Sequence, residues 1–245
     1  METGTFQFNS GCITAKNIVK TFSKVTALNN LNIQIPCGKR VALLGPNGAG
    51  KSTVLKILAG IMKPDSGEVS LGNFPPDSLD AKRLLGYLPE DATPYISLSV
   101  MENLQYVGSI RGVPDLNERI EYLVSELGLQ EYLNSKVMKI SRGTRQKVSV
   151  ALSIIHDPQI VLMDEPLNYL DIPSQENMIK ILSQMKSTFL ISTHIMSIAE
   201  RLTDDVVIIS RGQEIWKGSR MDLKHLGTID ESVESVVSRM MRNVR

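Results

Sequence analysis

The run Gly45-Pro46-Asn47-Gly48-Ala49-Gly50-Lys51-Ser52-Thr53 satisfies G-x-x-x-x-G-K-[ST], the pattern of a phosphate-binding loop. Its glycines let the backbone curl until N–H groups converge on phosphate oxygens, and a helix beginning there adds its positive end. Lys51 is expected to carry charge to the β- and γ-phosphates, and the Ser52 hydroxyl to ligate Mg2+. Average residue usage produces such a match by chance about once in a hundred chains of this length. A second group with chemical potential is Asp164-Glu165, at the end of the apolar run 160–163. A phosphate loop needs an acid at the end of a neighbouring strand to hold its metal, which suits Asp164. One residue further on, Glu165 is placed to polarise an attacking water as general base. Without the loop upstream, the same pair would read as a strand exit or a helix cap.

These residues need elements to hold them. Apolar runs at 41–44, 160–163, 189–191 and 206–209 each lead into a turn or a polar cluster, as buried parallel strands do. Helical patterns at 53–59 and 146–155 lie between them, so the expected class is α/β, with ligands at the carboxyl ends of the strands. Residues 99–156 offer several helical stretches and no strand, the pattern of an inserted helical sub-domain. Near the end, 229–245 places Val233, Val236, Val237, Met240, Met241 and Val244 at three- and four-residue spacing, with Arg239, Arg242 and Arg245 between them. That is an amphipathic helix, expected to pack on its own domain. No repeat or Pro/Gly-rich linker interrupts the chain, so 1–245 reads as one domain.

Composition narrows the function classes. Hydrophobic residues are 42% and charged residues 22%, the balance of a folded globular protein. Lys plus Arg number 27 against 26 Asp plus Glu, and a net charge of +1 gives no field to gather nucleic acid or anionic lipid. The N-terminus has no basic stretch followed by an apolar one, and no apolar run is long enough to span a bilayer. The chain is therefore expected in the cytoplasm. Cys12 and Cys37 fit no metal or redox spacing and are expected to be reduced, packed residues.

Over about 13–218 the motifs resemble, in order and spacing, those of the ABC ATPase family. Ile140-Ser141-Arg142-Gly143-Thr144-Arg145-Gln146 stands where that family carries its LSGGQ signature, upstream of the strand ending at Asp164. Leu170-Asp171 resembles the D-loop, Ser192-Thr193-His194 the switch histidine, and Phe22 the aromatic that stacks on adenine. The resemblance implies a P-loop NTPase core with a parallel sheet, an N-terminal antiparallel β part and an inserted helical sub-domain. It implies ATP and Mg2+ as cofactors and hydrolysis with Glu165 and His194 as the catalytic pair. It also implies a second ATPase subunit in a head-to-tail dimer, with Ser141, Arg142, Gly143, Thr144 and Asp171 facing the other copy's nucleotide.

Three positions depart from the pattern: Glu90 replaces the Q-loop glutamine, where a carboxylate can still approach Mg2+; Arg142 and Thr144 replace glycine and glutamine; Asp204-Asp205 is read as solvated surface. The style of motif resembles prokaryotic exporters with a separate integral membrane permease, received near 90–103, where Asp91, Pro94 and Tyr95 are candidate contacts. The chain would then sit on the inner face of the membrane through that permease, with no nucleic acid bound. A soluble ABC ATPase serving as an assembly factor is the alternative.

Overall fold

The computed structural model describes residues 11–227 and 233–242. The chain opens with a hairpin of β1 (Ile13–Phe22) and β2 (Val25–Ile35), then runs through β3 (Arg40–Leu44), α1 (Lys51–Leu58), β4 (Ser66–Leu71), α2 (Leu79–Leu84) and β5 (Leu85–Leu88). Next come α3 (Val100–Ile110), α4 (Leu116–Leu127), two single 3-10 turns and α5 (Arg142–Ile154). The remainder alternates: β6 (Ile160–Asp164), α6 (Ile172–Gln184), β7 (Thr188–Ser192), α7 (Met196–Leu202), β8 (Asp205–Ser210), β9 (Gln213–Ser219), α8 (Arg220–His225) and α9 (Val233–Arg242).

Two sheets form. One is antiparallel, in the order β2-β1-β4; the other runs β5-β6-β7-β3-β8-β9, parallel except for β9 at its edge. The period of two along each parallel strand divides the core by face. Val41 and Leu43, Ile160 and Leu162, and Val207 and Ile209 pack with α1 and the antiparallel sheet. Their alternates face away: Val161 and Met163 join the helices of 100–154 and α6, while Ala42, Leu44, Val206 and Ile208 meet α7, α8 and α9. Each strand is apolar on both faces, which is why the sequence shows it as an unbroken apolar run.

The sequence-expected strands appear at 40–44, 160–164, 188–192 and 205–210, and α1 and α5 extend both helical patterns toward their N-termini. Within 229–245, only 233–242 lies inside the described residues. There Val236 and Val237 are buried against β3 and β8, with Met240 and Met241 packed beside them.

The structure corrects three expectations. Asp164 does not lie on a strand adjacent to the phosphate loop: β7 is inserted between β6 and β3. Cys12 and Cys37 are joined as a disulfide, with Cα atoms 4.8 Å apart. The hairpin register causes this, because Ile13 pairs with Ile35 and the Cys12 N–H donates to the Ile35 carbonyl (2.9 Å), which sets the two flanking cysteines side by side. Of Asp204-Asp205, the first is exposed but the second is half-buried, starting β8 with Lys39 Nζ 3.5 Å from its carboxylate.

Candidate functional site

At the carboxyl ends of β3, β6 and β7 lies a cleft of about 730 Å³. Its walls include every residue of 45–53 together with Phe22, Glu90, Asp164, Glu165 and His194, so all the expected nucleotide, metal and catalytic residues of one copy converge. Ala27 and Asn168 also line it and carried no sequence motif of their own.

The loop closes on itself before it can hold anything else. Lys51 Nζ donates to the carbonyls of Gly45 (2.8 Å) and Pro46 (3.3 Å), leaving one N–H of its three for a ligand oxygen. Gly50 takes φ 105°, where a Cβ would lie 2.7 Å from both the Ala27 carbonyl oxygen and Leu28 Cδ2. Only glycine fits both the dihedral and the space. No side chain caps α1, so the N–H groups of its first turn open into the cleft.

Asp164 is buried at 2% exposure, and its Oδ1 accepts from Ser192 Oγ at 2.7 Å. This bond exists because β7 lies beside β6 with Asp164 and Ser192 in register. Sequence reasoning placed Ser192 only in the histidine's motif; a polar residue ending an apolar strand was the available sign. Glu165 is buried as well and sits at φ 50°, a left-handed conformation costly for a side chain of this size. Its N–H donates to the Ser192 carbonyl (2.9 Å), which turns the carboxylate toward His194. His194 Nδ1 donates to Glu165 Oε1 at 2.8 Å, so the ring bears a proton on that nitrogen. Phe22, at the hairpin tip, is 44% exposed, and Glu90 is exposed just beyond β5.

The remaining expected residues lie apart from this cleft. Ser141, Gly143, Thr144 and Asp171 line a separate cavity of about 760 Å³ with Lys147 and Tyr169. Ser141 is the N-cap of α5, accepting from the Thr144 N–H (3.0 Å), and Asp171 caps α6 by accepting from the Ser174 N–H (3.0 Å). The side chain and N–H of Ser174 hold the Asp171 carboxyl below the usual carboxylate range. Arg142 is exposed, with its guanidinium over the Tyr169 ring.

A third groove, about 550 Å³, runs between the parallel sheet and the helices of 100–154, where Pro94 and Tyr95 contribute and Asp91 does not. Asn103, fully buried, ties down its rim: Nδ2 donates to the Tyr95 and Ser99 carbonyls (3.0 and 2.8 Å), and Oδ1 accepts from the Tyr95 N–H (2.9 Å). Tyr95, 54% exposed, meets the edge of Tyr106. Burial, then the charges of Asp164 and Asp91, push the Tyr87 phenol up.

The ABC transporter family model matches residues 28–168. The chain is 33% identical over 228 residues, 90% of this chain and 93% of the other, to the ABC transporter ATP-binding protein NatA of Bacillus subtilis (strain 168). It is 36% identical over 203 residues, 82% and 87% respectively, to the lantibiotic transport ATP-binding protein SrtF of Streptococcus pyogenes. An ATP-binding subunit of an ABC transporter superposes with a TM-score of 0.85 at 28% identity, covering 94% of this chain and 99% of that one. A dimeric ATP-binding cassette in a post-hydrolysis state, bound to ADP and Pi, superposes at 0.78 and 25% identity, covering 84% and 98%. The chain belongs to the ABC transporter family, as its ATP-binding and hydrolysing subunit.

The cleft fits ATP with Mg2+. The open first turn of α1 and the spare Lys51 N–H suit phosphate oxygens, and the Ser52 hydroxyl and Asp164 carboxylate are the hard oxygen donors that Mg2+ takes. Among the described residues no group of three His, Cys, Asp or Glu side chains gathers as a metal cage. Mg2+ in a nucleotide site needs none, since waters and phosphates complete its shell. Among the described residues no helix is long and apolar enough to cross a membrane.

Proposed function

We propose that this chain powers an exporter whose membrane-spanning permease is a separate protein, working as a head-to-tail pair of ATPase subunits on the cytoplasmic face. The observation that carries the reading is the convergence of Lys51, Ser52, Asp164, Glu165 and His194 in one cleft, with Glu165 and His194 hydrogen-bonded at 2.8 Å. Support for transport comes from family membership, and support for export from 32% identity over 203 residues to the SkfA peptide export ATP-binding protein SkfE of Bacillus subtilis (strain 168).

Mg-ATP, when bound, supplies the phosphoryl group to be transferred and the charge that binds it. The loop 45–53 wraps the phosphates with backbone N–H groups while Lys51 adds its charge. Phe22, at the mouth, offers a ring face to the base. Ser52 and Asp164 would hold Mg2+, and Ser192 fixes the carboxylate's orientation. Glu90 completes the cleft wall with a third acid, beside Asp164 and Glu165. Glu165 takes a proton from the attacking water, with His194 holding its carboxylate in place through Nδ1. Ser141, Gly143, Thr144 and Asp171, on their separate surface, face the nucleotide of the second copy, with Arg142 beside them on the Tyr169 ring. Two composite sites then close on binding and open after hydrolysis, a ligand-driven shift between two arrangements.

Residues 90–103, beside the groove at Tyr95, receive the permease. The test is affinity purification of the tagged chain from detergent-solubilised membranes. An integral membrane protein should be recovered stoichiometrically. Recovery of soluble proteins alone would instead support an assembly factor.

A further inference from the structure

Three contacts fasten the first turns of α5 to the loop that leaves β6. The Arg142 guanidinium lies 3.4 Å from the centroid of the Tyr169 ring. One residue on, a Cβ at Gly143 would come within 2.7 Å of the Tyr169 carbonyl oxygen, so two backbones meet with nothing between them. At Gln146, Nε2 donates to the Pro166 carbonyl at 3.0 Å in the buried interior. Positions 142, 143 and 146 lie on one face of a helix, so the seam is continuous.

Tyr169 is held there against its own preference. Its φ is 67°, a left-handed value that a bulky side chain seldom adopts and that persists only where surroundings impose it. Arg142 has the matching feature: it is exposed, and among the described residues no carboxylate lies within ion-pair distance of it. An arginine face on an aromatic ring is therefore its engagement, and the pair is attractive without any acid. The loop so held starts at Glu165 and ends at Asp171, the N-cap of α6, while Ser141 is the N-cap of α5.

We propose that Arg142 and Tyr169 are positioning residues. Their stack locks the start of α5 to the loop after Glu165, so that the surface presented to the second copy's nucleotide keeps one shape. This rests on the paired-subunit reading above. Neither residue lines the cleft that takes its own copy's nucleotide, so single-copy affinity for ATP is independent of the stack.

The experiment follows ATP-induced dimer formation by light scattering in a Glu165→Gln background. Adding Arg142→Gln or Tyr169→Leu should each raise the ATP concentration for half-maximal dimerisation by about two- to fivefold, the range of an exposed cation–π contact. The double variant should be no worse than either single, because the two act through one contact. Tyr169→Phe, which keeps the ring, should restore the parent midpoint. Binding of a fluorescent ATP analogue to dilute, single copies should not move. Parent-like singles, a multiplied effect in the double variant, a defect in Tyr169→Phe or altered single-copy binding would each overturn the clamp. Should the Glu165→Gln parent itself form no dimer, the paired reading fails first and the clamp falls with it.

Discussion

The N-cap of α1 is Gly50, with no side chain accepting from the first N–H groups, whereas the N-caps of α5 and α6 are Ser141 and Asp171, whose oxygens accept from Thr144 N and Ser174 N. The same backbone device is thus left open in one region and closed in the other. A glycine N-cap in place of a side-chain cap forgoes only about 0.3 kcal/mol of helix stability. The burial of Val54, Leu55, Ile57 and Leu58 beneath the antiparallel sheet offsets that loss and keeps the donors available to phosphate. Each capped helix start satisfies one of its own donors with a side chain and so fixes the shape of the surface without a ligand, which suits recognition by another protein copy. Chemistry sits on strand ends in the buried core; recognition sits on helix starts at the surface.

The sharpest way to break this contrast is Glu165→Gln. Hydrolysis should fall by about 10²- to 10⁴-fold, as removal of a general base does, while nucleotide binding and folding persist. A steady-state phosphate-release assay checks it, and parent-like turnover would remove Glu165 from its role.

Placing the same methyl in both regions comes next. Gly50→Ala should cost about 2–4 kcal/mol, because the new Cβ meets backbone and Leu28 at a positive φ. Gly143→Ala, whose φ is ordinary and whose Cβ meets one carbonyl, should cost about 1–3 kcal/mol. Urea unfolding measures both. A reversed order would mean that the signature surface is the more rigid region.

A smaller effect concerns the far end of α5, where the His156 ring joins this helix to the parallel sheet. His156 Nε2 donates to the Leu85 carbonyl at 3.1 Å, and Arg119 donates to the last carbonyls of the helix, Ile154 and Ile155. Burial, then the charge of Arg111, lowers the His156 pKa to about 4. Its folded value lies below its unfolded one, so the unfolded chain binds the extra proton. Stability should be intact above pH of about 6.5 and decline as pH falls toward about 4. Full expression of the shift corresponds to ~3 kcal/mol, reduced to about 1–2 kcal/mol at a part-exposed ring screened by solvent. Thermal unfolding across this range should show a loss that His156→Gln abolishes; an unchanged slope would place the acid sensitivity elsewhere.

The least effect is expected from Ser192→Ala. Asp164 keeps its charge and position on β6 but loses the donor that orients it. The Mg2+ concentration for half-maximal hydrolysis should rise about tenfold, the low end for losing a hydrogen-bond partner of a metal-holding carboxylate. An unchanged requirement would show that β6 alone aims the carboxylate.

Much of this molecule was legible in one dimension because its signals are local. The phosphate loop is nine consecutive residues whose backbone does the binding, and a buried parallel strand writes itself as an apolar run because both faces are covered. What needed three dimensions was whatever joins segments far apart in the chain. The insertion of β7 between β6 and β3 gives Asp164 its Ser192 partner, and that order depends on strand pairing, which no run of residues encodes alone. The Cys12–Cys37 bond depends on hairpin register, which spacing of cysteines does not reveal. The stack of Arg142 on Tyr169 likewise depends on how α5 docks beside the β6 exit. Residue type and short spacing decided which groups could do chemistry; packing decided which of them touch, since contact between distant segments is a property of the folded core.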